Sequence, residues 1–278
     1  MTAAALGVDV AGLRYAVRAG GDGPALLLLH GFTGSAAAWA PHQRALRAVA
    51  RTFAVDLPGH GRTRPPGGPG GEVRASVERT ADDLAAILDR LAGGRADVLG
   101  YSLGARVALR MAVAHPDVVR RLVLESPAAG IADPAERAAR RAADEARAAI
   151  LERDGIEPFV DAWEREPVLA GEAALPPATR ARLRAARLGG DPRGLATSLR
   201  AAGQGAMEPL HDRLSGIGVP TLVIVGADDP ARARGEAVAA GIPAARLAVV
   251  PGVGHAPHLE APRAFRALVL DFISEAAA

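Results

Sequence analysis

The sequence predicts an α/β fold, with a mostly parallel central sheet flanked by helices. Three observations predict it. Short apolar runs alternate with helical stretches along the chain. Several of those runs are apolar without interruption, as in strands buried on both faces. A Gly-x-Ser-x-Gly turn, Gly100-Tyr101-Ser102-Leu103-Gly104, stands between a strand-like run and a helical one. In order, strands are expected over residues 25–29, 52–55, 96–100, 121–125, 220–225 and 246–250. Helices are expected over about 76–92, 103–115 and 262–274, with a short one between the last two strands. The final helix opens with Pro262 in its first turn and repeats Phe265, Leu268, Val269 and Phe272 at helical spacing. Gly67-Gly68-Pro69-Gly70-Gly71 reads as a surface loop and lacks the strand-to-helix setting of a phosphate cradle.

Residues 127 to about 210 break the alternation. They are Arg-, Ala- and Glu-rich, helical in pattern and punctuated by Pro and Gly. The expected organisation is therefore a core of residues 1–126 and 211–278, with residues 127–210 forming a helical cap inserted after the sixth strand.

Composition narrows the functional classes. The chain has 278 residues, enough for one large domain with an insertion, and 49% of them are hydrophobic while only 3% are aromatic. The core should be aliphatic. All 33 basic residues are arginine, but the formal net charge is +2, and no basic block is interleaved with aromatics, so a nucleic-acid partner is not expected. Cysteine is absent, which excludes disulfides, thiol catalysis and cysteine metal sites. No His/Asp/Glu cluster has metal-ligand spacing. Residues 1–10 lack a charged leader and contain Asp9, so they do not read as a secretory signal, and no apolar run approaches bilayer length. A soluble cytoplasmic protein with no membrane partner and no obligate protein partner is expected.

The Gly-x-Ser-x-Gly turn carries the chemistry. A sharp strand-to-helix elbow lifts the Ser102 hydroxyl out of the sheet. Glycine is needed on either side because a side chain would collide with neighbouring backbone. The Leu103 N–H, at the helix start, faces where an anion would develop. A serine so placed needs a later histidine and an acid between the two. His255, in Pro251-Gly252-Val253-Gly254-His255-Ala256-Pro257-His258, follows a strand-like run; His258 is the nearby rival. The run 221–225 ends in Gly226-Ala227-Asp228-Asp229-Pro230, where Gly-x-x-Asp spacing favours Asp229 over Asp228. After the 25–29 run comes His30-Gly31-Phe32, whose Phe32 N–H can complete an oxyanion hole. His30, Asp56 and His60 are expected to hold loops rather than to react.

Together the elbow, the His-Gly-Phe loop, Asp56-Leu57-Pro58-Gly59-His60-Gly61 and the Gly-His-x-Pro-His-Leu-Glu tail resemble the α/β-hydrolase superfamily, over nearly the whole chain. A narrower resemblance is to the 2-succinyl-6-hydroxy-2,4-cyclohexadiene-1-carboxylate synthases, lyases of menaquinone biosynthesis. It is carried by Gly100 through Arg106, by Leu124-Glu125-Ser126-Pro127, by the run from Glu136 to Asp144, by Phe159 through Pro167, and by the segment from Arg187 to Pro209. Ala105 and His211 depart from that family's usual residues.

That resemblance implies an α/β-hydrolase fold, no cofactor, and a small-molecule substrate with three carboxylates. Arg106, Arg140 and Arg187 would bind the carboxylates through planar guanidinium forks. Arg137 and Arg141 compete with Arg140 for the pocket-facing position. Tyr101 and Trp163 would line the pocket. Ser102, activated through His255 and Asp229, would act as a base, with the Phe32 and Leu103 N–H groups on the enolate oxygen. Guanidiniums buried without partners are costly, so the three arginines should be partly solvated or hold an anion. The rival is a serine hydrolase of the same fold, whether carboxylesterase, thioesterase or C–C bond hydrolase. A catalytically silent receptor is disfavoured by the complete Ser/Asp/His set.

Overall fold

The computed structural model describes residues 4–65, 69–243 and 245–275. Its centre is an eight-stranded sheet in the order β1-β2-β4-β3-β5-β6-β7-β8. The strands are β1 (Ala4–Val10), β2 (Leu13–Gly20), β3 (Ala25–Leu29), β4 (Arg51–Val55), β5 (Ala96–Tyr101), β6 (Val119–Glu125), β7 (Thr221–Gly226) and β8 (Ala245–Val250). The six from β3 onward run parallel to one another, and β1 and β2 add an antiparallel edge. Leu26 to Leu29 of β3 are fully buried, as their uninterrupted apolar run demands.

Helices α1 (Ala40–Leu46), α2 (Pro69–Ala75), α3 (Val77–Ala92) and α4 (Leu103–Ala114) precede or follow the first parallel strands. Between β6 and β7 lie α5 (Pro134–Arg153), α6 (Ile156–Trp163), α7 (Pro177–Leu188) and α8 (Pro192–Ala202). Then come α9 (Arg232–Gly241), α10 (Pro257–Glu260) and α11 (Pro262–Ser274). Two apolar clusters fill the sheet's faces, one under α3 and α4, the other under α1 and α11, where Trp39, Phe265, Val269 and Phe272 are buried. The helices after β6 carry a third, smaller cluster of Ala148, Leu151, Phe159, Val160, Leu195, Ala196 and Leu199, against which Phe32 and Trp163 pack. Their starts are chemically marked: Asp133 caps α5 by accepting from the Glu136 N–H at 2.8 Å, and Pro134, Pro177 and Pro192 stand in first turns. The α8 backbone meets the core directly, since a Cβ on Gly59 would lie 2.2 Å from the Gly194 oxygen. No helix among the described residues is long and apolar enough to cross a membrane.

Two features differ from the sequence expectation. The hairpin β1–β2 was not anticipated, because its outer strand is largely exposed and mixes Ala, Gly and Asp. Its two-residue turn, Ala11-Gly12, has φ of 44° and 83°, the positive pair that a type I′ turn requires. The glycine-rich stretch is also not a loop throughout. Gly67 and Gly68 lie outside the described residues, but Pro69–Ala75 forms α2. Proline suits a first helical turn, Glu72 complements the helix dipole, and α2 is held between α3 and α8.

Candidate active site

Ser102 sits at the junction of β5 and α4 with φ 49° and ψ −105°, a strained conformation for a residue with a side chain. The flanking glycines make the junction possible. A Cβ on Gly100 would lie 2.2 Å from the Gly104 oxygen, and one on Gly104 would lie 2.3 Å from the Leu29 oxygen. The Ser102 N–H donates to the Glu125 carbonyl at 2.9 Å, so the elbow is pinned to the neighbouring strand.

His255 and Asp229 reach Ser102 as expected. His255 Nε2 stands 3.1 Å from the Ser102 hydroxyl oxygen, and its Nδ1 stands 2.8 Å from Asp229 Oδ2. With Nδ1 donating to the carboxylate, Nε2 is free to accept the serine proton. Asp229 is buried while Asp228 is exposed, so burial alone separates the two candidates. Burial pushes the Asp229 carboxyl up, but the His255 and Ala231 N–H bonds outweigh it and hold the group below the usual carboxylate range. The rival His258 turns away. Its Nδ1–H and its backbone N–H both donate to Glu125 Oε1, at 2.9 and 2.7 Å.

Two residues that the sequence did not single out hold the histidine loop. The Ser126 hydroxyl donates to the His255 carbonyl at 2.8 Å. The Glu260 carboxylate accepts from the Gly254 N–H at 2.7 Å and the Ala256 N–H at 3.0 Å, so it grips the peptides on both sides of His255. Only the Glu at the end of the Gly-His-x-Pro-His-Leu-Glu string hinted at this.

On the opposite wall, His30 orders the Gly31-Phe32 loop. The Leu57 N–H donates to His30 Nε2 at 3.0 Å, so Nδ1 carries the proton and donates to the Gly31 carbonyl at 2.7 Å. Burial lowers the His30 pKa to about 4. Asp56 accepts from the Ala36 and Arg62 N–H groups at 2.7 and 2.9 Å. His60 is buried, bonds the Pro58 carbonyl, and burial lowers its pKa to about 3. All three therefore serve structure. Among the described residues, no acceptor takes the N–H of Phe32 or of Leu103, and both residues line the space above Ser102.

That space is a cavity of about 810 Å³. Tyr101, Arg106, Arg140, Trp163 and Arg187 all line it with Ser102 and His255. Arg137 and Arg141 do not. Their guanidiniums tie down the chain after α8, through the Gly205 carbonyl and, for Arg137, the Met207 carbonyl. Tyr101 is a neutral phenol, its pKa raised by burial and by the nearby Glu125.

Of the three arginines, Arg140 is partly solvated as expected, whereas Arg106 and Arg187 are buried. Arg187 is buried and bonds Glu172 at 2.6 Å and Glu164 at 3.1 Å. Arg140 bonds the buried Asp144 at 2.9 Å, and Arg147, also on the lining, bonds Glu166 at 2.6 Å. Internal carboxylates thus neutralise Arg140 and Arg187, two of the three guanidiniums expected to meet an anion, and Arg147 beside them. Residues 140, 144 and 147 share one face of α5, a spacing legible in the sequence but not read there. Arg106 is the exception. It is buried, donates to the Ala202 carbonyl, lies 3.8 Å from Met207 Sδ, and has no carboxylate partner among the described residues. Burial, and then the neighbouring Arg140 charge, lowers its pKa to about 9.

Comparison with known proteins agrees with this geometry. Residues 24–262 match the family model of the alpha/beta hydrolase fold. The provisionally named 2-succinyl-6-hydroxy-2,4-cyclohexadiene-1-carboxylate synthase of Bacillus subtilis is 37% identical over 95% of this chain and 96% of its own. The structure of MenH from S. aureus superposes with a TM-score of 0.87 at 30% identity, covering 93% of this chain and 97% of that one. A pimeloyl-[acyl-carrier protein] methyl ester esterase of Nitrosomonas europaea is 30% identical over 88% of this chain and 94% of its own, so hydrolases stand among the relatives too. The sheet order, the strained serine elbow and these matches place the chain in the α/β-hydrolase fold family.

Proposed function

We propose that this protein is a carbon–oxygen lyase that eliminates pyruvate from 2-succinyl-5-enolpyruvyl-6-hydroxy-3-cyclohexene-1-carboxylate, a step of menaquinone biosynthesis. The observation that carries the reading is Arg106. A guanidinium that is buried one helical turn beyond Ser102 and has no carboxylate hydrogen-bond partner among the described residues is costly unless the site receives an anion. The similarity to 2-succinyl-6-hydroxy-2,4-cyclohexadiene-1-carboxylate synthases points the same way.

In this reading His255 Nε2 accepts the Ser102 proton, with Asp229 stabilising the imidazolium. The Ser102 oxygen takes a proton from the carbon beside the succinyl ketone. The electron pair moves to the ketone oxygen, where the Phe32 and Leu103 N–H groups hold it. Its return forms the C2=C3 ring double bond, the existing C3=C4 bond shifts to C4=C5, and the ether C–O bond at C5 breaks. The departing enolpyruvate takes the proton held on His255 and becomes pyruvate, while Ser102 keeps the proton from the substrate carbon. Arg106, Arg140 and Arg187 hold the substrate carboxylates, and Tyr101 and Trp163 flank the ring.

A serine hydrolase is the second reading, because a serine oxygen 3.1 Å from the imidazole is equally placed to attack a carbonyl. One experiment separates the two. The purified protein is incubated with the enolpyruvyl substrate, pyruvate is followed, and the quenched protein is weighed by mass spectrometry. Pyruvate release with unmodified protein supports the lyase. A covalent adduct on Ser102 formed from that substrate, or no pyruvate, moves the assignment to the hydrolase.

A further inference from the structure

Glu172 lies on the lining of the same cavity as Ser102, and Arg187 is its hydrogen-bond partner, at 2.6 Å. Glu164, the other partner of Arg187, is absent from the lining and also binds Arg184 at 2.8 Å. The two carboxylates therefore differ in kind. Glu164 anchors the Arg187 guanidinium from behind and keeps a partner of its own. Glu172 covers the guanidinium from the side that a ligand would approach, and it belongs to a short 3₁₀ segment, Pro167–Ala174, rather than to a regular helix. A ligand carboxylate that reaches Arg187 must compete with it.

We propose that Glu172 is a specificity-determining residue: a resident carboxylate that occupies Arg187 in the free protein and that a ligand carboxylate displaces. The inference rests on the anion-site reading of the cavity given above. Glu164 keeps Arg187 in place during the exchange. A ligand with one carboxylate exchanges one ion pair for another at Arg187 and gains little. A ligand with several carboxylates also gains a contact at Arg106, which has no carboxylate partner to give up among the described residues, and that gain outweighs the exchange. Glu172 therefore biases the site toward polycarboxylic acids and against monoacids of similar shape.

The test is calorimetric titration of the whole protein with tricarballylate, a small tricarboxylate, using wild type, Glu172→Gln, Arg187→Gln and the double variant. Glu172→Gln is expected to bind roughly three- to tenfold more tightly than wild type, since a neutral amide competes poorly for a guanidinium. In the Arg187→Gln background the same change is expected to have no effect. Equal or weaker binding by Glu172→Gln, or a gain that persists without Arg187, overturns the proposal. Failure of wild type and Glu172→Gln alike to bind tricarballylate overturns the anion-site reading instead. Should Glu172→Gln fold poorly, a crystal structure of wild type with tricarballylate decides. Glu172 released from Arg187 supports the proposal, and an intact pair beside the bound ligand overturns it.

Discussion

The Ser126 hydroxyl donates to the carbonyl of His255, the residue whose side chain faces Ser102. Ser126 holds φ at 48°, at the end of the strand that also supplies the acceptor for the Ser102 N–H. One strand end thus references both the serine and the histidine, which fixes their separation to a common piece of sheet. Ser126→Ala should lower kcat roughly two- to tenfold, the worth of one neutral hydrogen bond, while KM and the circular-dichroism spectrum stay close to wild type. Unchanged kcat would assign the distance between Ser102 and His255 to the Glu260 grip alone.

Asp229 and Asp228 are neighbours with opposite surroundings. Ser102→Ala and His255→Ala should each cost about three orders of magnitude or more in turnover. Asp229→Ala should fall in the same direction, and Asp228→Ala, at an exposed position, should leave turnover near wild type. Steady-state kinetics on the four variants checks this, and an inactive Asp228→Ala beside an active Asp229→Ala would reverse the choice of acid.

Arg106 should respond unlike the paired arginines. Arg106→Gln removes a buried charge that has no carboxylate hydrogen-bond partner among the described residues, so the folded state should be no less stable in thermal melts, or slightly more so. Binding or turnover of the anionic substrate should weaken by about 1.5–3 kcal/mol. Hydrolysis of a small neutral nitrophenyl ester, if measurable, should be unaffected. A variant that loses stability while keeping full activity would make Arg106 a structural residue.

Acid should unfold this protein through its buried histidines. Burial holds His30 at about 4 and His42 and His60 at about 3, against roughly 6.5 for an exposed imidazole. Below pH 6.5 the unfolded chain therefore binds protons that the folded chain refuses. The contribution of these groups is fully present above that pH and is lost as pH falls to about 4 for His30 and to about 3 for His42 and His60. Each group adds a slope of about 1.4 kcal/mol per pH unit in that window. Guanidinium unfolding at pH 7, 6 and 5 should show the decline, and His30→Gln should flatten it by one proton.

The parallel part of the sheet was legible because strands buried on both faces need uninterrupted apolar runs, and residues 25–29 and 222–225 have them. The Ser102, Asp229 and His255 constellation was legible because each residue stands at a strand end with its own spacing signal. The β1–β2 hairpin was not, since an exposed edge strand needs no apolar face. Nor were the partners of Arg187: Glu164 and Glu172 lie 23 and 15 residues away in sequence, and only the packing of α6, α7 and the 3₁₀ segment brings them together. Residue spacing reports groups on one element and is silent about ion pairs between elements.

Where Gly59 meets Gly194, peptide group rests on peptide group with no side chain between them. Helix α8, whose Leu195, Ser198, Leu199 and Ala202 line the cavity with Ser102, is therefore seated at that point by main chain. Tyr101 and Glu172 can be exchanged for other residues without touching that seat, whereas a single methyl at either glycine would wedge it open. The cavity lining can thus be re-equipped for a different ligand while α8 keeps its seat, and the two glycines are the positions to leave untouched in any such redesign.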